Sequence, residues 1–180
     1  MALTKIQAES MNLADTYAFT GTVSGAGGGK VLQVVQSVVD GTYNLTTANS
    51  FTDVTAMYVD ITPSATSSKV LCMVALHGVH VSSNCYLRLL RGSTAIGTGA
   101  SSGSKSSVNS GNLYISGGNY MHETNFQFLD SPSTTSETRY KVQYITDSTS
   151  GLKVNRTGND TDALYTGRSS STITVMEISA

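Results

Sequence analysis

Three histidines, two cysteines and one closely spaced pair of aspartates hold most of the chemical potential of this chain. His77 and His80 lie three positions apart in an extended, apolar segment. Their side chains therefore point to opposite faces and cannot share a metal as a helical pair could. His122 and Glu123 are adjacent on an extended segment and diverge for the same reason. Asp160 and Asp162, in Gly158-Asn159-Asp160-Thr161-Asp162, share one face and could contribute to a calcium loop. Calcium takes about six to eight oxygens, and the glycine and terminal glutamate of the helical calcium loop are missing here. Turn-forming carboxylates are the better reading. Cys72 sits inside Val70-Leu71-Cys72-Met73-Val74-Ala75-Leu76, where a thiolate is disfavoured. No serine stands in Gly-x-Ser-x-Gly directly after a hydrophobic strand. Gly25-Ala26-Gly27-Gly28-Gly29-Lys30 lacks the Ser or Thr of a phosphate-binding loop, and a strand replaces the helix that would receive the phosphate. The expectation is a protein without catalytic residues, without a metal set and without a cofactor: a binding or structural chain rather than an enzyme.

The elements that must carry these residues have the two-residue period of strands. Tyr140, Val142 and Tyr144 alternate with Arg139, Lys141 and Gln143, and Met57, Val59 and Ile61 alternate with Tyr58 and Asp60. The run from Val70 to Leu76 is apolar on both faces, as in the middle of a packed sheet or at a subunit interface. Further strands are expected over 31–39, 84–91, 120–129, 151–154 and 172–178. Gly92-Ser93, Asp130-Ser131-Pro132, Asp147-Ser148 and Gly158-Asn159 supply turn chemistry between strands. Eight or more short strands so separated read as an antiparallel sandwich. If strands 69–79 and 84–91 form a hairpin around Val81-Ser82, Cys72 faces about Arg91 and Cys85 faces about Gly78. The two Cα atoms would then lie beyond the roughly 7 Å that a disulfide can bridge. Free, buried thiols are the expectation.

The beginning of the chain differs. Leu3, Ile6, Ser10, Leu13 and Tyr17 fall near a helical stripe, and Ser24-Gly25-Ala26-Gly27-Gly28-Gly29 cuts this segment from the remainder. A separate amphipathic element on a glycine tether needs a surface outside its own domain to cover it. The stretch Ile6-Gln7-Ala8-Glu9-Ser10-Met11-Asn12-Leu13-Ala14-Asp15-Thr16-Tyr17-Ala18-Phe19-Thr20-Gly21-Thr22-Val23 resembles a segment that recurs in structural proteins of tailed bacteriophages of marine, cyanophage type. There it precedes a fibre or knob domain. The ending, Ser170-Ser171-Thr172-Ile173-Thr174-Val175-Met176-Glu177-Ile178-Ser179-Ala180, resembles the last strand of their trimeric, tumour-necrosis-factor-like jelly rolls. The resemblance implies residues 1–23 as a virion-anchoring segment, short and helical or extended, with 24–29 as tether and 30–180 as a jelly-roll domain. It implies a homotrimer, and other virion proteins as partners of residues 1–23. Ile6, Met11, Leu13, Tyr17 and Phe19 are the expected anchoring contacts.

Composition narrows the partners. Charged residues make up 13% of the 180 positions, about half the usual share, whereas Ser and Thr fill 50 of them. The net charge is −1 with no basic block, which argues against nucleic acid. No apolar stretch approaches the roughly 20 residues of a membrane span. No secretory pattern opens the chain, so synthesis in the host bacterial cytoplasm and residence in the virion are expected. The glycosylation pattern at Asn155-Arg156-Thr157 consequently carries no weight. Residues 98–118 are Ser- and Gly-rich, interrupted by Leu113, Tyr114 and Ile115, which should pin the middle of a long loop. Attachment to a host surface glycan or protein would draw on such loops, with Tyr114 and Tyr165 as candidate receptor contacts and Tyr120 nearby. The competing reading is a capsid decoration or head-fibre protein that braces the lattice without binding a receptor.

Overall fold

Alternating apolar residues close two antiparallel sheets onto each other in a computed structural model that describes residues 29–180. The expected N-terminal anchor, with Ile6, Met11, Leu13, Tyr17 and Phe19, lies outside the described residues. Every regular element among the described residues is a strand: β1 (Val31–Val39), β2 (Tyr43–Leu45), β3 (Thr52–Ile61), β4 (Lys69–Val79), β5 (Cys85–Arg91), β6 (Thr94–Ile96), β7 (His122–Asp130), β8 (Thr138–Thr146), β9 (Leu152–Val154) and β10 (Ser171–Ile178).

Pairing follows a single rule. The first long strand pairs with the last, β1 with β10; inside them β3 pairs with β8, β4 with β7, and β5 with β6. This is one long antiparallel ribbon, rolled so that β10 also meets β4 and β5 also meets β8. The result is one sheet with β1, β10, β4 and β7 and another in the order β3-β8-β5-β6, the jelly roll expected from the sequence. Beyond Ala75, where β10 stops pairing with β4, β9 takes over and carries β2 at its outer edge.

The core lies between the sheets. Val70, Cys72, Val74 and Leu76 of β4 and Ile173 and Val175 of β10 face Met57, Val59, Leu87, Leu89, Tyr140, Val142 and Tyr144 from the other sheet, all buried. Each large side chain so removed from water contributes about 1.5–3 kcal/mol. Asp130, at the inner end of β7, accepts hydrogen bonds from the Tyr140 hydroxyl at 2.7 Å and from Arg91 Nη1 at 2.8 Å, tying one sheet to the other. Asn155 fastens the opposite end. It is buried with a φ of 58°, a left-handed conformation that asparagine tolerates better than most residues. Its amide donates to the carbonyls of Val39 and Gly41 and accepts from the Ser171 hydroxyl.

The expected hairpin between 69–79 and 84–91 does not form. β4 and β5 lie in different sheets, and Val81-Ser82 belong to the crossing between them. Both edges of β4 are already taken, by β10 on one side and β7 on the other. Cys72 therefore sits beside Val175 and Phe128, and Cys85 beside Thr146. The thiols are free and buried, as expected, for a different geometric reason. Burial raises the pKa of both, that of Cys85 to about 12, so neither is a nucleophile near neutral pH.

The Ser- and Gly-rich segment has a structural task. β6 covers only Leu89 to Arg91 of β5, leaving the rest of that edge open. Residues 109–113 fill it. The Asn109, Ser110 and Asn112 side chains accept from the backbone N–H groups of Leu89, Leu87 and Cys85, at 2.8, 2.8 and 3.0 Å. The N–H groups of Asn109 and Leu113 return bonds to the carbonyls of Leu87 and Cys85. Side-chain oxygens, two from amides and one from a hydroxyl, thus stand in for an edge strand and blunt an edge that would otherwise invite pairing with another chain. Leu113 is fully buried and pins the middle of the loop.

At the other end lies Glu177, a fully buried carboxylate. It accepts from the Ser64 N–H at 2.7 Å, the Ser64 hydroxyl at 2.6 Å and Gln33 Nε2 at 2.6 Å. Burial alone would raise its pKa; the hydrogen bonds from Ser64, Gln33 and Ser68 outweigh burial and hold it at about 2 instead of the ordinary 4.5. A depressed carboxyl pKa contributes stability that is complete above the ordinary value and is lost as pH falls toward the folded one. Stability in urea should accordingly decline between pH 4.5 and 2, and Glu177→Gln should flatten that decline. Parallel curves for the two proteins would show that Glu177 does not set the acid limit.

Candidate functional site

Strand register places a charge-free apolar surface on the outside of the sheet that holds β1, β10, β4 and β7. Val34, Met176, Leu71 and Leu129 form one continuous outward row across the four strands. The next row is Gln36, Thr174, Met73 and Gln127, followed by Val38, Thr172, Ala75 and Asn125. Val34, Val38 and Leu129 are more than half exposed, at 54%, 57% and 51%. A shallow hollow of about 510 Å³ runs over this face, lined by Met73, Ala75, Asn125, Gln127, Thr172 and Thr174. Charges appear only at its ends, with Lys69 at one and the His77–Glu123 pair, 4.0 Å apart, at the other. A contiguous apolar patch with uncharged polar neighbours is the signature of a protein contact surface. The apolar runs Val70–Leu76 and Val31–Val39 both contribute to it, on either side of β10.

Strand direction separates the two ends of the molecule. Lys30 and Ser179 meet at one end, where the Lys30 backbone N–H donates to the Ser179 hydroxyl. The connections 40–51, 80–84, 97–121 and 147–170 gather at the other. There His80 N–H donates to the Leu113 carbonyl, Ile115 N–H to the His80 carbonyl, and Ser83 Oγ to Asp147. The buried His80 ring accepts the Ser83 N–H on Nδ1 and meets Thr146 Oγ1 on Nε2, 3.1 Å away. Burial lowers its pKa, so the ring is neutral at pH 7 and braces the loops. His77 and His80 do lie on opposite faces, one beside Glu123 and one in the interior.

Tyr114, Tyr120 and Tyr165 all stand at this loop end, exposed by 43%, 57% and 63%. Tyr114 follows the pinned Leu113, whereas Tyr165 lies in the last long connection beside the fully exposed Leu164. No hydrogen bond among the described residues joins the two tyrosines. Asp160 and Asp162 line a polar hollow of about 380 Å³ together with Thr161, Thr166 and Arg168. Asp160 is occupied by Arg168 at 2.6 Å and Arg156 at 3.7 Å, so it is charge-paired within its turn. Gly99-Ala100-Ser101-Ser102-Gly103 has Gly-x-Ser-x-Gly spacing, yet forms exposed loop with no strand-to-helix elbow to activate Ser101. Among the described residues, no group of three or more His, Cys, Asp or Glu is placed to hold a metal ion, and no helix is long and apolar enough to cross a membrane. Sequence reasoning overlooked a recess around Tyr86, whose half-buried ring on a strand carries the same signal as a core residue.

No protein-family model matches the chain, and no curated protein matches it in sequence. Among solved structures it is similar to the crystal structure of the infectious bursal disease virus VP2 subviral particle, at 12% identity and a TM-score of 0.37. The similarity covers 82% of this chain, which spans 40% of that protein.

Proposed function

We propose that the protein is a virion structural component of a tailed bacteriophage: a homotrimeric fibre or knob, fastened to the particle by residues 1–23 and contributing at its far end to host-surface attachment. One observation carries this reading. The described chain begins at one end of a jelly roll, its long loops and exposed tyrosines lie at the other, and a charge-free apolar face runs between them. Three such faces packed about a common axis would bury the rows centred on Met176 and leave the loop ends pointing away from the anchors. The order of the bacteriophage-like phrases along the sequence supports this arrangement. Residues 6–23 precede the domain, and the ending is β10, which supplies Thr172, Thr174 and Met176 to the apolar face. The chain would work by binding, without catalysis, metal, cofactor or nucleic acid, and would be made in the host bacterial cytoplasm.

Deleting residues 2–23 should give a soluble, folded three-chain species in sedimentation that is absent from purified particles. At about 1.5–3 kcal/mol per large apolar side chain, three copies of Ile6, Met11, Leu13, Tyr17 and Phe19 form a strong multivalent anchor. Normal incorporation of the truncated protein would place attachment in the jelly roll. Tyr114→Ala with Tyr165→Ala should lower adsorption to host cells while leaving incorporation intact. Unchanged adsorption, also by particles lacking the protein, would instead favour the capsid-bracing role, with particle heat resistance as its measure.

A further inference from the structure

The outer face of the four-stranded sheet holds a recess that neither assembly nor anchoring uses. Antiparallel register sets Tyr86 of β5 beside Ile145 of β8. Their neighbours Cys85 and Thr146 are buried, so Tyr86 and Ile145 point outward and form a half-buried apolar floor. Asn49, Asn84, Ser106 and Asp147 stand around it, enclosing a hollow of about 320 Å³. On the Lys105 and Val108 side of Tyr86 the recess continues as a second hollow of about 360 Å³. These sizes are at the lower end of the range for small-ligand sites.

The rim is held in place while its recognition atoms stay available. Asn49 has a φ of 59°, and its backbone N–H donates to the Thr146 carbonyl at 2.7 Å. Asn84 Oδ1 accepts from Asn112 Nδ2 at 2.6 Å, which orients the Asn84 amide and leaves its NH2 to donate. One oxygen of Asp147 accepts from Ser83 Oγ. Among the described residues, no hydrogen bond uses the other Asp147 oxygen, the Asn49 side-chain amide or the Tyr86 hydroxyl. An aromatic floor is therefore ringed by amide donors and by amide and carboxylate acceptors.

That arrangement selects its ligand class. An apolar peptide would leave the rim amides and carboxylate desolvated and unpaired, at about 1–3 kcal/mol each. A nucleotide could stack on Tyr86, but its phosphate would meet Asp147 with Lys105 as the one lysine in the recess. A pyranose has an apolar C–H face for the ring, and vicinal hydroxyls that both donate and accept at its edge. We propose that this recess binds a neutral pyranose unit of a glycan, stacked on Tyr86 and held by Asn49, Asn84 and Asp147. Binding here needs neither a particle nor a trimer, so its failure would leave the virion reading standing.

The test uses the full chain and three probes: the methyl glycosides of glucose, galactose and N-acetylglucosamine. Saturation-transfer NMR should detect at least one of them, with a Kd on the order of millimolar, as expected of a single shallow site. Asp147→Ala, an exposed position, should weaken that probe about tenfold or more, and so should Tyr86→Ala, with Tyr86→Phe close to the parent because stacking is kept. Transfer to none of the probes at about 20 mM would overturn the assignment. So would binding unchanged in Asp147→Ala, or a preference for methyl glucuronide over all three neutral probes. Should Tyr86→Ala fail to fold, Asp147→Ala decides the matter alone.

Discussion

Val34→Asp combined with Met176→Asp is expected to turn the proposed three-chain assembly into a folded single chain. The two residues are register partners in the outward row that Leu71 and Leu129 complete. Their side chains leave the sheet away from the core, so the domain itself loses little when they change. At a trimer axis, by contrast, six carboxylates would be forced into a surface that carries no counter-charge between Lys69 and Glu123. An unpaired buried charge costs about 3–5 kcal/mol, which corresponds to a loss of association of roughly 100- to 4,000-fold for each contact. Sedimentation velocity at micromolar concentration should show the parent as three chains and the variant as one, with β-type circular dichroism in both. Val34→Thr with Met176→Leu keeps the shape without the charge and should remain assembled. A charged variant that still sediments as three chains would move the interface to another face of the roll; a parent that sediments as one would remove the assembly altogether.

Where a local pattern had only one way to be satisfied, the sequence could be read directly. Tyr140, Val142 and Tyr144 alternate with charged and amide residues, and only one face of a strand can bury that set. Val70 to Leu76, apolar on both sides, gave a central strand with the core on one face and the unpartnered surface on the other. The failures lie where a partner is chosen by competition. Nothing local to 69–91 reveals that β4 is already paired on both edges by strands roughly 50 and 100 residues away. Residues 98–118 look like flexible linker because Asn109, Ser110 and Asn112 replace strand backbone with side-chain acceptors, a substitution that leaves no hydrophobic period. The recess at Tyr86 is drawn from four separate segments, and its members acquire a common role only through the fold. Tyr114 and Tyr165 were visible as aromatic residues in polar loops, which placed them at an exposed end without identifying what they touch.

A large loss of stability from a single polar side chain is expected at Asp130, because its carboxylate links the two sheets. It is 5% exposed, and its carboxylate accepts the Tyr140 hydroxyl at 2.7 Å and Arg91 Nη1 at 2.8 and 2.9 Å. Asp130→Ala removes every one of these acceptors at once. Tyr140 is fully buried, so its hydroxyl would be left dry and unpaired beside Cys72 and the core. Arg91 is less trapped: its side chain is 30% exposed and keeps a 3.2 Å bond to the Ser131 carbonyl, so it can turn toward water. That escape places the cost near the lower end for a broken buried pair, about 3 kcal/mol, still about a fifth to a half of the stability of an ordinary domain. Asp130→Asn retains one carbonyl oxygen for the tyrosine and should cost about half as much. Tyr140→Phe removes the dry hydroxyl, so adding it to Asp130→Ala should recover part of the loss rather than deepen it. Urea unfolding of the four proteins at neutral pH measures all of these differences. A strictly additive double variant would mean that Asp130 acts through Arg91 alone, and that the sheets are held together by their apolar contacts without help from the tyrosine.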